Sequence, residues 1–229
     1  PSTVLLENSP NFEGSVFDYI MTDVMRRYGY NQVETVLDGR SHGDFELRKR
    51  LCRVWYSKGL EAPDLDQLSK DASNLSARTV QDVLEPMMDD DPRWGRRSYL
   101  EAKNAESHNG HQYCVVNMDD RKFGTMGANY HKIQPDSPQV PHPYKPGFTR
   151  IFTPSEHCNI RRIDGALKEQ ITSIAEGTHP CQRRNGTNTT AAHKMLGNSI
   201  TPEPWEAVGT LLGNWIRQLA GIRTYTSTT

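Results

Sequence analysis

The order of strand and helix patterns in the first quarter of the chain constrains the fold more than any other feature. A short apolar run over residues 4–6 ends in turn-forming residues, and apolar residues then recur at three- and four-residue steps over 14–28. Further extended runs follow at 32–37 and 51–56, with a polar loop between them. Strand, helix, strand, loop and strand predict an α/β sheet domain. A doubly wound sheet needs more strands, so we expect this domain to be incomplete at its N-terminal side.

The middle of the chain has weak periodicity and many loop-forming residues. We expect a helix over 77–88, capped by Ser76, a short strand over 112–116, and a proline-rich exit near residue 147. Weak periodicity with many loops indicates a small inserted module whose loops recognise the surface of another molecule.

The last third of the chain is predicted to be helical. Thr153, Pro154 and Glu156 have the form of a helix start, with a threonine cap, proline at the first position and an acidic first turn. Helices are also expected over 166–175 and 203–220. The last of these carries one apolar face that we expect to pack in a core: Trp205, Val208, Leu211, Leu212, Trp215, Ile216 and Leu219.

Composition narrows the class of protein only a little. No run approaches the roughly 20 apolar residues of a membrane span, and no signal peptide is visible, so we expect no membrane contact and a cytoplasmic location. The four cysteines and eight histidines are scattered, which predicts neither a zinc site nor a disulfide framework. The net charge of -1 gives no support for nucleic-acid binding. Local arginine clusters do occur, although any single cluster is more typical of solvated surface charge than of a nucleic-acid contact.

Four short stretches, in order along the chain, carry the functional signal. They are Leu5-Leu6-Glu7-Asn8-Ser9, Gly43-Asp44-Phe45-Glu46-Leu47-Arg48-Lys49-Arg50, Arg150-Ile151-Phe152-Thr153-Pro154-Ser155-Glu156-His157, and Gly197-Asn198-Ser199-Ile200 followed by Pro202 and Pro204. Together they resemble the Glu-Asn-Val, Gly-x-Pro-Gln-x-Arg-x-Arg, Arg-x-Leu-Thr-Pro-x-Glu and Gly-Asn-Ser-Val-x-Pro motifs of the DNA cytosine-5 methyltransferase family. The chain is similar to the C-terminal portion of such an enzyme.

The resemblance implies a fold and an activity. It implies a partial Rossmann-like S-adenosylmethionine methyltransferase sheet over 1–58, a target-recognition module over 59–147, and a helical segment over 148–229 that returns to the catalytic domain. The substrate would be duplex DNA with a flipped cytosine, in a nucleoid-associated protein of a bacterium or phage. The large middle module favours DNA over RNA.

The resemblance also assigns roles to individual residues. Glu7 would hydrogen-bond ring nitrogen 3 of the cytosine, and Arg50, with Arg48 beside it, would hold the base and its carbonyl. The cofactor S-adenosylmethionine would bind at Asn198 and Ser199. Substrate contacts are expected from five further residues, mainly through phosphates: Asn8, Arg161, Arg162, Arg183 and Arg184.

The chain departs from the family pattern at several positions. Ser9 replaces valine, and Phe45-Glu46 replaces proline-glutamine, which adds a negative charge near the two arginines. Asn159 stands where the family often has arginine, and Arg162 stands where it usually has glycine. These departures favour either a divergent branch or relaxed selection on catalysis.

The family's nucleophile lies in a Pro-Cys-Gln motif upstream of Glu-Asn-Val, and no such motif precedes Glu7 here. Pro180-Cys181-Gln182 matches in letters, but no strand is expected to lead into it, so we interpret it as a coincidence in a loop. An upstream N-terminal segment or a partner subunit would then supply the cysteine. The alternative is a non-catalytic relic that binds DNA or a partner.

Overall fold

The computed structural model describes residues 1–70, 76–106, 114–134, 136–181 and 186–221. The chain divides into two compact units. Unit 1 comprises Pro1–Gly43, Arg48–Asn74 and Glu203–Thr229, and unit 2 comprises Asp44–Leu47 and Leu75–Pro202. The boundaries of these units differ from those of the predicted segments. The division into a catalytic segment, a target-recognition module and a C-terminal helical segment stays a prediction.

Unit 1 is built on a three-stranded sheet with the order β1-β3-β2. Strand β1 is Thr3–Asn8, β2 is Tyr30–Asp38 and β3 is Lys49–Ser57, and β3 lies antiparallel to both neighbours. Strands β1 and β2 therefore run parallel to each other, with helix α1 (Val16–Arg27) between them in sequence. The predicted strand, helix, strand, loop and strand are confirmed in type and order.

Helix α1 packs on the sheet through a polar contact. Asp18, 7% exposed, is the buried residue of the helix and forms an ion pair with Arg53 of β3, which also binds Glu34 of β2 at 2.5 Å between Nε and Oε2. The hydrogen bond from Arg53 holds the pKa of Asp18 below its usual value.

The predicted apolar face of α1 lies largely in solvent within the described part of the chain. The exposed side chains include Phe17 at 75% and Ile20 at 56%. The sequence predicted the helical spacing of the apolar residues correctly. It did not predict which face of the helix is buried, because the polar face is the one that contacts the sheet.

The opposite face of the unit 1 sheet supports an apolar core with helix α7 (Pro202–Leu219). Trp215 also donates a hydrogen bond from Nε1 to the Glu61 carbonyl at 3.1 Å. The predicted final helix and its core-facing side are confirmed, although Ile216 and Leu219 are exposed. The buried members of this core are Leu37, Cys52, Val54, Tyr56, Leu65, Leu68, Val208, Leu212 and Trp215.

Unit 2 has a second three-stranded sheet, of order β4-β6-β5, with β4 at Gly95–Arg96, β5 at Gln139–Pro141 and β6 at Phe148–Ile151. Helices α2 (Val80–Val83) and α3 (Ser98–Glu106) belong to the same unit. Its core contains a row of stacked rings, with centroids 5.3 Å apart for Phe45 and Phe123 and 5.7 Å apart for Phe123 and Phe152. The other buried members are Val80, Val83, Val116, Met126, Tyr130, Val140 and Ile160.

Helix α4 (Pro154–Ile160) begins as its sequence predicts. The Thr153 side chain accepts from the Glu156 backbone N–H, and the Glu156 carboxylate accepts from the Thr153 N–H at 2.7 Å, which forms a capping box. Glu156 is fully buried and is also held by the guanidinium of Arg150, at 2.6 and 2.8 Å. The motif glutamate therefore has a structural role within unit 2.

Two further helices complete unit 2. Helix α5 spans Gly165–Glu176, close to its predicted bounds, and α6 spans Thr189–Asn198. Helix α6 was not predicted, because its buried positions include a histidine and a glycine, which give a weak apolar period. Asn188 caps it by accepting from the Ala191 N–H at 3.1 Å.

Two local predictions in the middle of the chain differ from the described residues: the predicted helix is too long, and residues 112 and 113 of the predicted strand lie outside the described part. The helix expected over 77–88 is one turn long, since Leu84 is already extended and Pro86 disfavours helical backbone at the residue before it. Of the strand expected over 112–116, the described residues contribute an isolated bridge between Val115 and Gln139. Among the described residues, no helix is long and apolar enough to cross a membrane.

Candidate active site

The two residues on which the functional prediction rests lie together in unit 1. Glu7 is opposite Cys52 in the β1–β3 register, and Arg50 is two residues before Cys52 on the same strand. Side chains two apart on a strand share a face, so Glu7 and Arg50 are diagonal neighbours on one side of the sheet. Their ion pair measures 2.9 Å between Arg50 Nε and Glu7 Oε1.

The Glu7–Arg50 pair remains accessible. The Arg50 side chain is 23% exposed and the Glu7 side chain 33%, at the carboxyl end of β1. Arg50 Nη1 also donates to the Lys49 carbonyl at 2.7 Å, which fixes the plane of the guanidinium. The arrangement offers a carboxyl group and a planar cation, side by side, to a ligand that carries both an acceptor and a donor.

The two residues predicted beside this pair are less available. Arg48 is 4% exposed and is therefore less accessible to a ligand than Arg50, and the roles expected of both residues stay predictions. Asn8 is half-buried and its Oδ1 accepts from the Ser9 N–H at 2.8 Å, which engages part of its amide locally.

A second glutamate–arginine pair lies in unit 2 and is fully buried. Arg161 and Glu46 are each 0% exposed, with 2.6 Å between Arg161 Nε and Glu46 Oε2 and 3.1 Å between Nη2 and Oε1. The Met126 N–H also donates to Glu46 Oε1 at 2.7 Å. The extra negative charge that the sequence introduces at position 46 is therefore neutralised inside unit 2.

The prediction that Arg161 contacts DNA phosphates is wrong, because its guanidinium has no exposed surface and is bound to a carboxylate. Arg162 is exposed, with a φ of 53°, in the left-handed region that favours glycine. A glycine at this position would adopt that geometry without strain. Arg183 and Arg184 lie outside the described residues, and their predicted role stays a prediction.

The predicted cofactor residues lie at the end of α6 in unit 2. Asn198 is the last residue of the helix and is exposed, and Ser199 is its half-buried C-cap. Ser199 Oγ donates to the Leu196 carbonyl at 2.6 Å and accepts from Arg161 Nη1 at 3.4 Å. An exposed amide beside a hydroxyl acceptor suits the amino-acid end of S-adenosylmethionine, which carries an ammonium and a carboxylate.

The cysteines differ in their chemistry. Cys52 lies across from Glu7, but burial raises the pKa of its thiol to about 12, and burial likewise raises the pKa of Cys158 to about 11. Both thiols are therefore inert at neutral pH. Cys181 is exposed in the turn that follows α5, and its backbone N–H donates to His179 Nδ1 at 3.2 Å.

The structure of this chain is similar to those of several solved methyltransferases. The chain has the α/β fold of methyltransferases, and the predicted fold class is confirmed. No model of a protein family and no curated protein matches the sequence.

Three solved structures illustrate the similarity. Dnmt2 methyltransferase of S. pombe is 19% identical, with a TM-score of 0.68 over 93% of this chain and 67% of that one. A mutant of DNMT2 from Spodoptera frugiperda is 15% identical, with a TM-score of 0.66 over 92% and 66%. The Entamoeba histolytica methyltransferase EhMeth is 15% identical, with a TM-score of 0.64 over 95% and 63%. The chain thus spans about two thirds of the length of these structures.

Proposed function

We propose that this chain is the C-terminal part of a methyltransferase that transfers a methyl group from S-adenosylmethionine to carbon 5 of cytosine in duplex DNA. The observation that carries the proposal is the accessible Glu7–Arg50 pair on one face of the unit 1 sheet, within a methyltransferase fold. The four ordered motif stretches give independent support.

In the proposed reaction a cysteine thiolate adds to carbon 6 of the base, which makes carbon 5 nucleophilic. After carbon 5 has taken the methyl group, loss of its proton to a base would break the bond between carbon 6 and sulfur and return the thiolate. As the acid of the reaction, Glu7 donates a hydrogen bond to ring nitrogen 3 and so stabilises the negative charge that the addition places on the ring. Arg50 holds the carbonyl oxygen at carbon 2 through its guanidinium. The 2.9 Å ion pair keeps the two groups together before the base arrives, which lowers the cost of orienting them.

S-adenosylmethionine would supply the methyl group when bound. Asn198 and Ser199 are the residues of this chain that we propose for its amino-acid end, with the amide facing the carboxylate and the Ser199 oxygen accepting from the ammonium. The role of these two residues is to bind and orient the donor.

The attacking cysteine is proposed to come from an upstream segment or from a partner subunit. The exposed apolar face of α1 supports such a segment, because a patch with Phe17 and Ile20 in solvent is typical of a surface that another part of a protein covers. DNA that carries 5-fluorocytosine traps such enzymes covalently. We expect no trapping by residues 1–229 alone, and trapping that Cys181→Ser abolished would instead identify Cys181 as the nucleophile.

The direct test is Glu7→Gln in the native protein that contains this chain. Turnover is expected to fall by roughly a hundredfold or more, the usual loss for a general acid, while binding of S-adenosylmethionine persists. Glu13→Gln, an exposed glutamate six residues later, is the matched control and should retain full turnover. Unchanged turnover in Glu7→Gln would remove Glu7 from the mechanism.

DNA binding gives a second test, because phosphate contacts make affinity depend on salt. The affinity of the native protein for duplex DNA should fall steadily as the salt concentration rises. An affinity independent of salt would rule out the proposed phosphate contacts, which are those of Arg162, Arg183 and Arg184 and of the cluster Arg93, Arg96 and Arg97 in the middle of the chain.

A further inference from the structure

The buried guanidinium of Arg161 connects three separate stretches of unit 2. Besides Glu46, it donates from Nη1 to the Ser199 carbonyl at 3.0 Å and from Nη2 to the Met126 carbonyl at 3.3 Å. Residues 46, 126, 161 and 199 are far apart in sequence, so one side chain fixes their relative positions.

The same place shows a second close approach. A Cβ atom added at Gly197 would lie 2.3 Å from the backbone carbonyl carbon of Gly127, so the last turn of α6 packs directly against the 126–128 backbone. The end of α6 is therefore held from two sides: by backbone packing at Gly197 and by the Arg161 hydrogen bond at Ser199.

We infer that Arg161 is a positioning residue for the cofactor-binding end of α6. It holds the backbone of Ser199 while its charge is balanced by Glu46, and this inference rests on the proposed role of Asn198 and Ser199. Arg161 does not touch the cofactor, because it is fully buried.

The geometry explains how the interior of unit 2 accommodates Glu46. A guanidinium offers five N–H donors in a fixed plane, which allows one side chain to serve a carboxylate and two carbonyls at once. A buried cation of this kind needs a carboxylate partner, and Glu46 supplies it with two short contacts.

Removal of both charges together distinguishes a role of Arg161 in positioning Ser199 from a role in stabilising the fold alone. In the double variant E46Q/R161M no buried charge is left unpaired, so we expect the native protein to fold and to melt close to the wild-type temperature. The Ser199 carbonyl nevertheless loses its donor. We expect the Kd for S-adenosylhomocysteine, which binds without turnover, to rise about tenfold by isothermal titration calorimetry.

Two other variants complete the design. K194M changes an exposed lysine of the same helix and should leave the Kd within twofold of wild type. R161K keeps a positive charge for Glu46 but cannot hold the carboxylate and the Ser199 carbonyl in one plane, so it should also weaken binding. R161K carries the test if the double variant does not fold.

The outcomes are distinct. Wild-type affinity in a folded E46Q/R161M or R161K protein would show that Arg161 only stabilises the unit, and would overturn the inference while leaving the proposed function intact. A wild-type protein that bound no S-adenosylhomocysteine would overturn the proposed function, and the inference with it.

Discussion

The two glutamate–arginine pairs of this protein have the same chemistry and opposite environments. Glu7 and Arg50, in unit 1, keep 33% and 23% of their side chains exposed, whereas Glu46 and Arg161, in unit 2, are 0% exposed. Glu7 or Arg50 can release the other residue and bind a ligand instead. Separation of Glu46 from Arg161 would leave a buried charge uncompensated. Burial, rather than residue type, decides which arginine is available to a substrate.

The largest expected effect tests the buried pair. Arg161→Ala leaves the Glu46 carboxylate buried without its cation, and we expect the free energy of unfolding to fall by roughly 3–5 kcal/mol. Urea denaturation measures this change. A loss below about 1 kcal/mol would mean that the pair is not buried in solution and would remove the contrast with Glu7–Arg50.

The second effect concerns the pH response of unit 2. Burial, with a contribution from His131, lowers the pKa of His193 from the ordinary 6.5 to about 4. His193 is 1% exposed, and its Nδ1 lies 3.2 Å from that of His157. The unfolded chain therefore binds a proton that the folded chain rejects between these two pH values.

The contribution of His193 to the free energy of unfolding should therefore be fully present above pH 6.5. It should decline as the pH falls towards 4, by at most about 3 kcal/mol. Denaturation midpoints measured from pH 7 to pH 4 give the slope. His193→Asn should lose part of that slope, and an identical pH profile in the variant would contradict the assignment.

A smaller effect is expected at Arg162. Its φ of 53° strains any residue with a Cβ atom, so Arg162→Gly should stabilise the fold by about 1 kcal/mol. Arg162→Ala is the control, since it removes the charge and keeps the Cβ. Equal melting temperatures for the glycine and alanine variants would show that the backbone there is not strained.

The smallest effect on the free energy of unfolding is expected at the accessible Glu7–Arg50 pair. Removal of the carboxylate in Glu7→Ala should change the free energy of unfolding by less than about 1 kcal/mol, because a partly exposed ion pair contributes little to stability. Chemical denaturation provides the comparison with Arg161→Ala. Similar losses in the two variants would remove the distinction drawn between the pairs.

The sequence predicted those features that depend on residues close together in the chain. The start of α4 follows from Thr153, Pro154 and Glu156, and the strands that carry Glu7 and Arg50 follow from the local strand pattern. Both are consequences of short-range geometry, which a single sequence carries.

The features that depend on tertiary packing could not be predicted in this way. Arg161 and Arg162 are adjacent and chemically identical, yet one is fully buried and the other exposed, because the partners of Arg161 lie 115 residues upstream and 38 residues downstream. Helix α1 shows the same limit, since the contact between Asp18 and Arg53 turns its polar face to the sheet.

Bisulfite sequencing tests the proposed activity most directly, in DNA from cells that carry the native gene encoding this chain and from cells that lack it. We expect cytosines in one recurrent sequence context to resist conversion only in cells with the gene, and the Glu7→Gln gene to abolish that protection. Identical conversion with and without the gene would contradict the assignment of cytosine-5 DNA methylation.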